Sequence, residues 1–109
     1  MTRVAVLTFV LAAAGAALAA CGHSRAPVAT EADAARAGVS VAELNQGRRL
    51  FVGHCGNCHL PPSPTDFPPE AWPGHVGEMR ERAGLDATSE ALVERYLVTM
   101  AQASAQASR

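Results

Sequence analysis

The chain has 109 residues and a formal net charge of −1; its apolar share is 49% and its aromatic share 5%. This length holds one small domain, and arginines paired locally only at Arg48-Arg49 and Arg80/Arg82 exclude the basic stripe of a nucleic-acid binder. Alanine supplies much of the apolar share, so the available core is thin, and so small a domain usually leans on a disulfide, a metal or a cofactor.

Arg3 gives the N-terminus a positive charge, and Val4 to Ala20 follow without one. This is the pattern of a secretory signal, at the short edge for a membrane span of about 20 residues. Residues 1–20 therefore read as a signal peptide. Leu18-Ala19-Ala20-Cys21 resembles the lipobox of bacterial lipoproteins, in which cleavage before the cysteine makes it a lipidated N-terminus. A plain signal cleavage that leaves a free thiol is the alternative. An unpaired cysteine in an exported protein needs a reason, and lipidation supplies one.

Residues 21–39 lack aromatic side chains and contain Pro27 and Gly38. They read as the lipidated N-terminus and a flexible tether, because nothing large in them asks for burial. Residues 40–109 read as the folded domain with a short C-terminal tail. Ser40-Val-Ala-Glu43 fits a capping box, and Val41, Leu44, Leu50 and Phe51 give the helical face of a segment running to about Val52.

Cys55-Gly56-Asn57-Cys58-His59 is the C-x-x-C-H signature of covalent haem attachment. Cysteines three positions apart place both sulfurs on one side of a helical turn, so that two thioethers form with one macrocycle. The adjacent His59 then meets the iron, its other ring nitrogen normally donating to a backbone carbonyl, for which Pro61 or Pro62 is a candidate. A zinc site lacks its four ligands, a thioredoxin-type pair lacks its βαβ setting, and a simple disulfide leaves His59 unused.

Leu60 to Pro69 contains five prolines and is expected to be an extended, stiff loop. A further helix is predicted from near Pro69 to Ala83, with Trp72, Val76 and Met79 on one face and Gly84 as its stop. The last helix is predicted from about Thr88, carrying Leu92, Val93, Tyr96, Leu97 and Met100. No segment shows convincing β alternation, so the fold class is all-α.

Gly47-Arg-Arg-Leu-Phe51, then Cys55-Gly-Asn-Cys-His59, then Tyr96-Leu97 resembles the class I cytochromes c over about Ser40 to Ala101. That resemblance implies about three helices around one covalent haem c. The first-helix glycine and aromatic would interlock with an aromatic of the last. It implies an electron carrier with no catalysis of its own, on the periplasmic side of a bacterial membrane, lipid-anchored or else soluble. Its partners would be other redox proteins: another cytochrome, an oxidase or a dehydrogenase. A haem subunit of a larger redox enzyme, or a haem enzyme or gas-binding protein with an open iron position, are the alternatives. The chain is shorter between the haem motif and the last helix than the usual pattern, which leaves the sixth ligand open. Met79, which shares a face with Trp72 and Val76, leads; His75, Met100, His54 or an open site remain. Trp72 and Arg48, Arg49, Arg80 or Arg82 are candidates for contact with a haem propionate.

Overall fold

Helix boundaries fall where the sequence supplies partners for the free backbone groups of a helix end. In the computed structural model, which describes residues 25–56 and 59–109, these are α1 Glu31–Ala37, α2 Val41–Cys55, α3 Trp72–Ala83 and α4 Ala87–Ala107. The Thr30 hydroxyl caps α1 by accepting from the Asp33 amide, Ser40 caps α2 through the Glu43 amide, and Asp86 caps α4 through the Ser89 amide. Gly84 closes α3 at φ 68°, in the left-handed region where a side chain is disfavoured. Among the described residues the fold is all-α: residues 40–109 hold the three helices α2, α3 and α4, and α1 precedes them. Among the described residues no helix is long and apolar enough to cross a membrane.

α4 is the hub, packing on α1, α2 and α3, and its contact with α2 is the largest. The two helices approach closely at Gly47, where a Cβ would stand 2.8 Å from the Leu92 carbonyl carbon and 3.0 Å from Tyr96 Cβ. One turn on, the Phe51 and Tyr96 rings lie with centroids 6.2 Å apart. With Leu44, Val93 and Leu97 they form the fully buried centre of the core. Tyr96 also makes a polar contact there: its hydroxyl donates to the Pro27 carbonyl at 2.7 Å. Burial pushes the phenol far above its ordinary range, against the lowering effect of nearby Arg48, so it stays protonated as a donor.

Three details depart from the sequence reading. α2 runs on to Cys55 beyond Val52, so the first haem-motif cysteine sits in its last turn. Glu43 does not complete the capping box and pairs instead with Arg95 on α4. The proline-rich loop is not extended throughout: Pro64–Asp66 and Pro69–Ala71 are single 3-10 turns, the first capped by Ser63. Proline at the first position of such a turn loses no internal hydrogen bond, and Pro64 is fully buried.

The largest departure is at residues 25–39. A flexible tether was expected there, yet the chain folds onto the domain. Ala26, Ala29 and Ala34 are buried. Asn45 grips the backbone of Ala29 at both ends, accepting from its N–H at 2.9 Å and donating to its C=O at 3.0 Å. Arg48 Nε donates to the Ala26 carbonyl at 2.6 Å. The folded unit therefore reaches back to Ala26, well before Ser40. The signal segment and the lipobox, Cys21 included, lie outside the described residues.

Candidate functional site

The C-terminal turn of α2, the loop from His59, α3 and α4 enclose a half-open cleft of about 200 Å³. Its floor is core: Phe51, Val76, Val93 and Leu97 reach it from three helices. Phe67 closes one side, its ring edge-on to Trp72 at 5.2 Å and 4.2 Å from the His75 ring. Trp72 is fixed by its indole N–H, which donates to the Pro64 carbonyl at 3.0 Å in a buried position. That donor is thereby committed inside the fold, which removes the propionate contact considered for it.

Cys55 and His59 both line this cleft. Cys55 is half-buried, and burial pushes its thiol up, favouring the neutral form. His59 is exposed, and its Nδ1 lies 3.1 Å from the Leu60 carbonyl oxygen. A carbonyl only accepts, so Nδ1 carries the hydrogen and Nε2 keeps a free lone pair. The carbonyl is that of Leu60, not Pro61 or Pro62, because the ring folds back onto its immediate neighbour. Cys58, the second cysteine of the motif, lies outside the described residues.

The candidates for a second axial ligand separate in space. Met79 and His75 line the cleft from α3, each half-buried. Met100 is 7% exposed within the core and is absent from the cleft wall. His54 lines the cleft as well, but its Nδ1 donates to the Ala83 carbonyl at 2.8 Å, joining the end of α2 to the end of α3. It is half-buried, with that nitrogen committed to the backbone of α3. Of the candidate arginines, Arg48 binds Ala26 and Arg80 pairs with Glu90 at 3.4 Å, while Arg82 borders the cleft and Arg49 is exposed. The cleft borders of Leu85 and Phe67 carried no motif, so only the fold reveals them.

Among the described residues no three His, Cys, Asp or Glu side chains converge as a metal cage. The wall instead offers one thiol, imidazoles and a thioether around an apolar floor. Such a wall could hold an apolar, metal-bearing group through the Cys55 thiol and through nitrogen or sulfur donors of His59, His75 or Met79. No family model matches the chain, and no curated protein or solved structure does either.

Proposed function

We propose that this protein is a lipid-anchored monohaem c-type cytochrome that transfers single electrons at the periplasmic face of a bacterial membrane. The observation that carries the proposal is the meeting of Cys55 and His59 of the C-x-x-C-H motif with Met79 around one apolar cleft. Cys55 and Cys58 would hold the haem by thioethers, and His59 Nε2 and Met79 would ligate its iron. When bound, the group supplies a one-electron iron couple, which Met/His ligation places at a higher potential than bis-His.

The chain's own residues do the rest. The Leu60 carbonyl holds His59 in the tautomer whose Nε2 lone pair is free. Phe51, Val76, Val93 and Leu97 keep water from the floor, which favours a small change in solvation when the charge at the centre changes. Met79 on α3 and His59 on its loop are set by separate elements, and the His54 to Ala83 bond ties the ends of α2 and α3 together around the site. The close Gly47 contact and the Phe51–Tyr96 pair match the helix crossing that the resemblance to class I cytochromes c implies. Cys21 would carry the lipid, and the partners would be redox proteins such as another cytochrome, an oxidase or a dehydrogenase.

The test is chemical. The exported protein is extracted with acid–acetone and weighed by mass spectrometry, and one haem mass should remain on the polypeptide. Complete extraction of the haem overturns the proposal.

A further inference from the structure

The contacts made by residues 26–39 have no part in the cleft. Those of Ala26, Pro27 and Ala29 tie the backbone just beyond the lipobox to the α2/α4 crossing. Ala26 is held by Arg48, Pro27 by the Tyr96 hydroxyl, and Ala29 by both ends of the Asn45 amide. α1 then turns the chain back, with Asp33 receiving the Thr30 amide and hydroxyl and pairing with Arg36. Four backbone groups within four residues are thus gripped by three side chains from two helices. A stretch of mostly alanine has little area of its own to bury, so these polar contacts set where it lies.

Chain length gives this arrangement a consequence. From Cys21 to Ser40 there are nineteen steps, enough for a free chain to reach about 65 Å. From Cys21 to Ala26 there are five, which span at most about 18 Å. Along α2, Arg48 and Cys55 are seven residues apart, about 10 Å of helix rise. The point where Arg48 grips the chain is therefore about two turns along α2 from Cys55.

We infer that residues 26–39 form a stay that takes up most of the span after Cys21 and holds the domain close against the lipid bilayer, with the α2/α4 crossing as its anchored face. The inference rests on the lipid-anchor reading of Cys21. Its functional content is reach: a domain held this way exchanges electrons with a partner of its own membrane that stands close to the bilayer surface. A domain on a free nineteen-step chain would instead sweep a deep layer.

The experiment uses the processed holoprotein bound to a supported bilayer of phosphatidylethanolamine and phosphatidylglycerol, compared with its N45A/Y96F variant. Tyr96→Phe keeps the ring against Phe51 and removes only the hydroxyl. Neutron reflectometry reads the height of the protein layer, and the haem spectrum and helicity confirm that both proteins are folded. The native layer should lie close to the bilayer, and the variant layer should move outward and broaden, by roughly 10 Å in mean height. Amide hydrogen exchange on the bound native protein gives a second reading, in which the Ala34 and Val39 amides should be protected. A native layer as high and broad as the variant's, or unprotected amides at both positions, overturns the stay while leaving the anchor intact. A protein that washes off the bilayer overturns the anchor reading, and the stay with it.

Discussion

Met79 stands on α3 at the cleft, half-exposed, while Met100 on α4 is packed into the core. The two methionines share one chemistry, and their separation along the sequence gave no decisive reason to choose between them. On the proposed reading, Met79→Ala abolishes the weak long-wavelength charge-transfer band of a thioether bound to ferric iron and lowers the potential. Met100→Ala leaves that band in place and lowers stability by about 2–5 kcal/mol, the range for truncating a buried Met. Visible spectra and thermal melts of the two variants check this, and a reversed pattern exchanges the assignments. Gly47 makes a separate demand. Its missing Cβ is where the Leu92 backbone comes closest, and a backbone yields less than a side-chain tip. Gly47→Ala should cost about 1–3 kcal/mol by overpacking, read as a lower melting temperature with an unchanged haem spectrum. The motif pointed to Cys55 and His59 from their spacing alone. The partner carbonyl of His59 and the commitment of Trp72 to Pro64 were not readable, because both depend on how a proline-rich loop folds back on itself.

α1 shows why some elements escape a sequence reading. Glu31–Ala37 has no large apolar residue, so neither periodicity nor composition argues that it packs. It is held by its Thr30–Asp33 cap and its Gly38 stop, and the chain leading into it is fixed at Pro27 and Ala29 by side chains sixty-nine and sixteen residues away. α2, α3 and α4, by contrast, carry apolar faces; the start of α2 at Ser40 and the stop of α3 at Gly84 were legible, and the start expected at about Thr88 falls one residue from that of α4 at Ala87. The same polar contacts make α1 sensitive to acid. Burial of Asp33 works to raise its pKa, but hydrogen bonds from the Thr30 amide and hydroxyl and from Arg36 outweigh it and hold the carboxyl below 3.8. A carboxyl lowered on folding stabilises the folded state fully above its unfolded value. That contribution is lost as pH falls from about 4 through the folded value. α1 should therefore loosen below about pH 4, seen as faster amide exchange at Ala34 than in α4. Asp33→Asn should flatten this acid response and cost up to about 1 kcal/mol at neutral pH. An acid response identical to that of the native protein shows that Asp33 does not govern it.

At the scale of the whole molecule, the cleft and the core are one body of apolar side chains. Phe51, Trp72, Val93 and Leu97 are at most 3% exposed, and all four also line the cleft, so what fills the cleft completes the core. This is the thin core that the composition implied: among the described residues its buried aromatics are Phe51, Trp72 and Tyr96, joined by several small alanines. A domain of this size draws only about 3–5 kcal/mol from its core unless something else staples it. A covalent haem wedged between α2, α3 and α4 would be that staple. The double variant Cys55→Ala/Cys58→Ala cannot form either thioether and, on the proposed reading, is exported without stable haem. It should keep much of its helical circular dichroism, since α2 and α4 retain their caps and their Gly47 contact. It should lose its cooperative melt, with the apolar floor open to a hydrophobic dye, because the missing contribution is comparable to the whole stability of the domain. If the double variant instead melts cooperatively within a few degrees of the native protein and binds no dye, the cleft is self-supporting and the cofactor is not part of what holds this fold together.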